Sequence, residues 1–432
     1  MAKQKILILG AGLAGLSAAY HLQKKGLDYQ IFEKEDAPGG LCRSKNIDGF
    51  TFDYSGHLLH FKNRYTYDLV RGLLNNNLTR HKRKSWVHSF NTYVPYPFQA
   101  NFFGLPAQIA KDCLLGFVQA ADNGHYKKKQ DTSFKDWIYQ AFGRGIARHF
   151  MLPYNKKFWT VPLSRITCDW VNSFVPQPSL EEVIEGTIAR STKPLGYNAN
   201  FWYAKKGGIQ RLASAFVERI NKVNLACYCQ KIDVKNKKIF FRNGSQEKFD
   251  QLISTIPLPE LAHMIDDLPE SITLSFKKLR WVSILNLNLG IDKENVSEKH
   301  WIYFPDKDFI FFRIGFPHNF SSFLTPPKKS SLYIEVSYSK NKPANKKNIV
   351  THIIKDLVKT QIIAGRDRIA VQDVNDIKYG YPIYDHNYRF ARENILEFLR
   401  QNNILSCGRY GSWRYMSMED SILDGKDVVK YL

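Results

Sequence analysis

Gly10-Ala11-Gly12-Leu13-Ala14-Gly15 constrains this chain more than any other segment. Lys5–Leu9 before it reads as a short buried strand. Leu13–Lys24 carries small and apolar residues at helical spacing, and Tyr29–Glu33 is a second short strand closed by an acid. Strand, glycine turn, helix and strand form a βαβ unit, the context that makes G-x-G-x-x-G a dinucleotide-binding turn. Gly10 permits the tight turn, Gly12 lets the backbone approach a pyrophosphate, and Gly15 lets helix and strand close-pack. The helix N-terminus adds amide donors and partial positive charge. Glu33 stands where a carboxylate would bind the ribose hydroxyls of an adenosine, and it would repel a 2′-phosphate. The opening residues also imitate a signal peptide, but the glycine spacing favours the nucleotide-binding reading.

At 432 residues the chain exceeds one ordinary core, so two or three packed units are expected. The pattern predicts an α/β fold: a Rossmann-like dinucleotide-binding domain, an inserted helical unit and an antiparallel β-sheet substrate domain. The first is discontinuous, from 1–75, 200–265 and 395–432. The helical unit covers 105–195, where PAQIAKDCLLGFVQAA, SFKDWIYQAFGRGIARHF and SLEEVIEGTIAR repeat helical periodicity. The sheet domain comprises 76–104 and 266–394, where SILNLNLGI, HWIYF, FIFFRIGF and SLYIEVSY alternate with turns. Asn243-Gly244 predicts a hairpin turn.

Asp36-Ala37-Pro38-Gly39-Gly40-Leu41-Cys42-Arg43-Ser44 resembles the double-glycine signature of the amine oxidase and protoporphyrinogen oxidase superfamily, which implies FAD as the dinucleotide. In those flavoproteins Gly39, Gly40 and Arg43 would touch the diphosphate and ribityl chain, and an arginine beside a buried diphosphate is physically apt. Further pieces resemble the UDP-galactopyranose mutase family, in particular its eukaryotic-type branch. They are Asp53-Tyr54-Ser55-Gly56-His57, Val94 through Gln99, Pro153-Tyr154-Asn155 with Trp159-Thr160-Val161-Pro162, Trp301 through Pro305 with Arg313, Gly380-Tyr381-Pro382-Ile383, and Gly408 through Tyr415.

That resemblance implies isomerisation of a nucleotide-activated sugar between pyranose and furanose, with reduced flavin N5 as the nucleophile, for surface polysaccharide biosynthesis. It assigns catalytic positions to Arg313, His57, Tyr381 and Tyr415. Substrate contacts fall to Trp159, Trp301, Tyr303, Gln99 and Asn198. Gly56, His57, Gly408, Arg409 and Ser421 join the cofactor residues. A departing pyrophosphate calls for paired arginines, yet the position of the family's second arginine holds Phe174. Phe320 stands where the family has a tyrosine, and the stretch after Tyr415, Met416-Ser417-Met418-Glu419-Asp420, is shorter and acidic. Arg165 is a candidate substitute. These departures keep open an FAD-dependent oxidoreductase of the amine oxidase or protoporphyrinogen oxidase type, and the net charge of +22 keeps open a flavin-bearing scaffold or surface-binding protein without turnover.

A mutase would need NAD(P)H or another reductant. Lys and Arg outnumber Asp and Glu by 62 to 40, a net charge of +22, but the lysines are scattered and no zinc spacing or other nucleic-acid module stands out. No nucleic-acid partner and no metal are expected; His57 and His60 form H-x-x-H without a third ligand at suitable spacing. Six cysteines without C-x-x-C pairs suggest a reducing cytoplasm, and no apolar run reaches membrane-spanning length. Oligomeric state is not legible.

Overall fold

The computed structural model describes residues 4–122, 132–171, 174–190, 195–196 and 198–432. A five-stranded parallel sheet forms one layer, in the order Ile404–Ser406, Gln251–Ser254, Ile6–Leu9, Tyr29–Phe32, Val223–Asn224. Every residue of Ile6–Leu9 is buried, as a central parallel strand covered on both faces requires. The helix Leu13–Lys24 leaves the end of that strand and packs on Met418–Val428 from the far end of the chain. There, a side chain at Gly425 would meet the Ala14 carbonyl at 2.1 Å, so close helix packing reserves the position for glycine.

The second layer is a seven-stranded sheet, in the order Ile369–Pro382, Trp281–Ile291, Ser330–Tyr338, Arg313–Gly315, Trp301–Tyr303, Ser85–Ser89, Thr92–Pro95. It is antiparallel except between Trp301–Tyr303 and Ser85–Ser89, which run parallel because the latter strand enters from the other half of the discontinuous unit. Trp281–Ile291 is covered on both faces. Two asparagines stand on it: Asn286 Nδ2 donates to Asn288 Oδ1 (3.0 Å), and Asn288 Nδ2 donates to the Asp53 carbonyl (3.1 Å) and to Asp373 (3.0 Å), while Asn286 Oδ1 is buried without a partner among the described residues. Those bonds fasten the sheet to the loop that follows Asp53.

The helical insertion contains Ala107–Asp122, Phe134–Ile146, Leu152–Trp159 and Leu180–Ile188. The first two approach so closely that a Cβ at Gly145 would lie 2.0 Å from the Asp112 carbonyl. Gly143, at φ 71°, kinks the second helix and turns the chain toward Leu152–Trp159. Ser133 caps the second helix, and Ser179 with Glu182 forms a capping box on the fourth.

The expected boundary at 394/395 falls inside the helix Tyr388–Gln401, whose Tyr388, Ala391, Ile395 and Leu399 share an apolar cluster with Leu7, Leu9 and Ile404 of the parallel sheet. Leu78–Lys82, assigned from sequence to the substrate unit, pairs with Asn200–Ala204 in a separate two-stranded sheet. Local periodicity does not register such tertiary pairing. Among the described residues no helix is long and apolar enough to cross a membrane.

Candidate functional site

One cavity of about 980 Å³ runs from the first glycine turn, through the contact between the two sheets, to the helical insertion. Its floor at one end is backbone. Gly10 sits at φ 98°, and a Cβ at Gly15 would lie 1.9 Å from the Gly10 carbonyl, so both positions are closed to other residues. Gly15 packs behind the wall and does not line the cavity, in keeping with its expected packing role. Gly12 differs: a Cβ there would meet nothing within 4 Å. It is the N-cap of a helix with no side-chain cap and no acid in its first turn, so the first-turn amides remain available to an anion.

The double-glycine turn lies directly beneath. The Gly39 amide donates to the Ala11 carbonyl (2.8 Å), and a Cβ at Gly40 would come 3.3 Å from Gly12 Cα. Glu33 is buried; it accepts from the Ala11 amide (2.7 Å) and the Glu35 amide (3.1 Å), so besides facing the cavity it pins the glycine loop. Arg43 Nε donates to the Gly40 carbonyl (2.9 Å), which places its guanidinium beside the turn. Gly408, at φ 81°, donates its amide to Asp424 (2.6 Å) and brings the last strand's end against Ala14. Ser421 lines the same end. An uncapped helix start, two glycine turns in contact and a buried acid between them suit the adenosine diphosphate half of a dinucleotide.

Asp53 stabilises the middle. Ser44 Oγ and Tyr203 hydroxyl donate to its carboxylate at 2.6 Å each, and the Ile209 amide at 3.2 Å. Burial pushes its carboxyl up to about 6. The following loop is held under strain: Ser55 adopts φ 136°, and a Cβ at Gly56 would lie 2.4 Å from the Tyr333 hydroxyl. Burial first, and the Arg409 charge second, push His57 down to about 4, so the imidazole is neutral at physiological pH.

The far end is built of rings and arginines. Tyr96, Tyr154, Tyr303, Tyr333, Tyr381 and Tyr415 face one space. Tyr381 stacks on Tyr415 at 5.5 Å, and Tyr96 lies 4.9 Å from Tyr303. Burial raises the hydroxyls of Tyr96, Tyr333, Tyr381 and Tyr415, which keeps all four protonated as donors.

Two arginines enter with opposite electrostatics. Arg313 Nε donates to Glu335, its directly opposed neighbour on the adjacent strand, and Glu335 also accepts from Ser55 Oγ. Arg409 is partly buried and has no carboxylate partner among the described residues. Its Nη1 donates to the Met416 carbonyl (2.6 Å) and Nη2 to the Gly380 carbonyl (3.0 Å), while Nε is buried without a partner. The guanidinium lies 4.9 Å from the Tyr381 ring centre and 4.7 Å from that of Tyr415. A cation met by carbonyl dipoles, ring faces and the Tyr410 side chain, with no acid beside it among the described residues, is poised for an anionic ligand.

Of the residues singled out from sequence, Trp301, Tyr303, Gln99, Asn198, Arg313, Tyr381, Tyr415, Arg409 and His57 all line this cavity. Trp159 does not. It is buried behind the wall, edge-on to Phe158 and Trp170 at 5.0 Å each, and Phe158 occupies the surface instead. Helical phase explains the swap, since Tyr154 and Phe158 share the inward face of Leu152–Trp159. Arg165 is exposed and away from the cavity, so it does not replace the missing arginine. Phe174 lines the wall, edge-on to Tyr415 at 4.2 Å. Phe320 packs against Phe201 and Tyr203, outside the cavity lining.

The acidic stretch after Tyr415 does not place negative charge beside Arg409. Asp420 completes a capping box with Ser417, and Glu419 accepts from the Lys62 (2.9 Å) and Asn63 (3.0 Å) amides. Sequence reasoning missed Glu335, Tyr333 and Arg83. An acid inside the apolar run SLYIEVSY was the available signal for Glu335. Arg83, which donates to Asn198 and to the Tyr96 carbonyl (3.3 Å), carried no signal.

Comparison with known proteins agrees with this geometry. The family model described as flavin containing amine oxidoreductase matches residues 13–432. The crystal structure of a reduced UDP-galactopyranose mutase superposes with a TM-score of 0.94 at 30% identity, covering 100% of this chain and 94% of that one. The UDP-galactopyranose mutase of Mycoplasma genitalium is 22% identical over 250 residues, 56% of this chain and 59% of that protein. The zeta-carotene-forming phytoene desaturase of Myxococcus xanthus is 48% identical, but over only 50 residues, 12% of this chain and 10% of the desaturase. A match over nearly the full length, on a cavity whose glycine end fits a dinucleotide, places this chain in the flavin-containing amine oxidoreductase family.

Proposed function

We propose that the protein is an FAD-dependent mutase-like isomerase of a nucleotide-activated sugar. Similarity to the mutase structure supports this reading, and the unpaired Arg409 in the cavity carries it. The adenosine diphosphate of FAD would lie on Gly10, Gly12, Gly39 and Gly40, with Glu33 at its ribose and Arg43 at the diphosphate. Reduced flavin, when bound, supplies a nucleophilic N5 toward the anomeric carbon.

The chain's own residues then have three tasks. Arg409 supplies positive charge for the pyrophosphate as it departs from the sugar, in a site whose burial strengthens the attraction. Tyr381 and Tyr415, held protonated, donate neutral hydrogen bonds to the same group. Arg313 is fixed by Glu335 through Nε, which leaves its terminal nitrogens as further donors. Neutral His57 adds no second buried charge beside Arg409. Trp301, Tyr303, Gln99 and Asn198 enclose the sugar and exclude water. NAD(P)H or another reductant would prepare the cofactor. The product would supply furanose units to a surface polysaccharide, and six unpaired cysteines fit a reducing cytoplasm.

One observation favours a second reading. Phe174 puts an apolar ring where the mutase family has a cation, which suits a flavin oxidoreductase of the amine oxidase or protoporphyrinogen oxidase type with a less charged substrate. The test is incubation of the flavin-loaded, dithionite-reduced protein with UDP-galactopyranose and other nucleotide sugars, followed by chromatography of the nucleotide products. Furanose product that appears with reduced protein and not with oxidised protein supports the mutase. No isomer from any nucleotide sugar, together with reduction of the oxidised flavin by an amine or porphyrinogen, contradicts it.

A further inference from the structure

A second concavity of about 1610 Å³ lies on the other side of the helix Leu152–Trp159. Met151, Tyr154, Asn155 and Phe158 face the flavin cavity, whereas Leu152, Pro153, Lys156 and Lys157 face this groove. Its opposite bank is the helix Ile349–Lys359 with the loops that hold Lys307 and Lys342.

The groove is strongly cationic and is not neutralised from within. Arg144, Arg148, Lys156, Lys307, Lys342 and Lys355 converge on it from four separate segments, and none of them forms an ion pair among the described residues. Two carboxylates line it. Asp356 is already engaged, accepting from the Ile310 amide (2.9 Å) and from Lys359 Nζ (2.8 Å), which leaves Asp308. Lys157 is structural: its ammonium donates to the carbonyls of Phe304 (2.7 Å), Phe311 (3.2 Å) and Asp306. Burial lowers Lys342 as well, with no carboxylate to offset it. Such crowding of like charge around one hollow costs stability unless an anion is present.

The shape narrows the class of anion. Arginine forks beside lysine point charges match phosphate oxygens. A run of exposed rings on which bases could stack is missing from the lining, where Tyr139 and His352 are exposed on different helices and Phe309 is buried. We propose that this groove binds an oligophosphate, a small ligand presenting several linked phosphate charges, at a site distinct from the flavin cavity. The same headgroup could arrive free in solution or on a lipid.

The test is calorimetric titration of the flavin-loaded protein with inorganic tripolyphosphate, and in parallel sedimentation with zwitterionic vesicles carrying a pyrophosphate-headed lipid. The variant is R148Q/K355Q. The control is K222Q/K248Q, which removes the same charge from exposed positions of the dinucleotide-binding unit. Binding at one site per chain, weakened by about tenfold or more in R148Q/K355Q and unchanged in the control, supports the proposal. Variant-sensitive binding to tripolyphosphate identifies a free ligand, and variant-sensitive binding confined to vesicles identifies the lipid headgroup. Equal weakening in both variants would reduce the groove to the general field of a protein with net charge +22 and overturn the proposal. Absence of binding to either form, or variant-sensitive binding of a single-stranded oligonucleotide tighter than tripolyphosphate, would overturn it too.

Discussion

The two ends of the cavity offer hydrogen-bond donors by different means. At the glycine end the donors are backbone amides at an uncapped helix start, and side chains are excluded by contacts as short as 1.9 Å. At the tyrosine end the donors are side chains gathered from Tyr96, Arg313, Tyr381, Arg409 and Tyr415, supplied by four separated segments. A backbone site is specified by what must be absent, and a side-chain site by what must be brought together. The first tolerates almost no substitution at its turns. The second is expected to change in steps as single residues are exchanged.

Gly15→Val is expected to have the largest effect. Its side chain would collide with the Gly10 carbonyl, so destabilisation beyond about 4 kcal/mol and loss of bound flavin are expected by thermal melting and absorbance. Gly12→Ala, in open space, should fold normally yet retain flavin less well; equal behaviour of the two variants would break the distinction between packing and ligand approach.

Next comes Arg313→Ala, which strands the buried Glu335 carboxylate and should cost about 3–5 kcal/mol. Adding Glu335→Gln should recover most of that loss in a denaturant melt. Failure of the double variant to recover would mean that Arg313 stabilises the fold by packing rather than by charge. Arg409→Met sharpens the contrast, because Arg409 has no acid to strand. It should weaken nucleotide binding by about 1.5–3 kcal/mol while flavin content stays constant.

Acidification should produce a smaller, graded effect. His57 and His60 are both held near 4 by burial, below the ordinary value of 6.5. The unfolded chain therefore takes up protons that the native state refuses, and stability should rise with pH between about 4 and 6.5. A flat melting temperature across that window would contradict the buried, neutral histidines. Phe174→Arg should have the smallest effect, a gain in nucleotide affinity of up to about tenfold beside Tyr415. No gain would indicate that the wall at Phe174 does not face the bound phosphates.

The same contrast explains what the sequence made legible. Gly10 through Gly15 and Gly39-Gly40 are local, so their spacing alone indicates the turn and the helix. Tyr381, Tyr415 and Arg409 were reached through short motifs in a recognisable order. Trp159 was misplaced by one helical position, since sequence order does not show which side of Leu152–Trp159 meets the cavity. Glu335 and Arg83 act through partners 22 and 115 residues away, at Arg313 and Asn198, and no local pattern encodes such pairings. The acidic Glu419 and Asp420 looked like a change in site charge, and only the fold shows that they bond backbone amides.

The central proposal is that one cavity takes a flavin at its glycine end and a nucleotide anion beside Arg409. The most direct measurement is titration of UDP into flavin-loaded protein, with flavin absorbance as the readout, for wild type and Arg409→Met. The expected result is a saturable spectral change in wild type, shifted to about tenfold or more higher UDP in the variant, with equal flavin content in both. Identical titrations for the two proteins, or no spectral response in either, would contradict it.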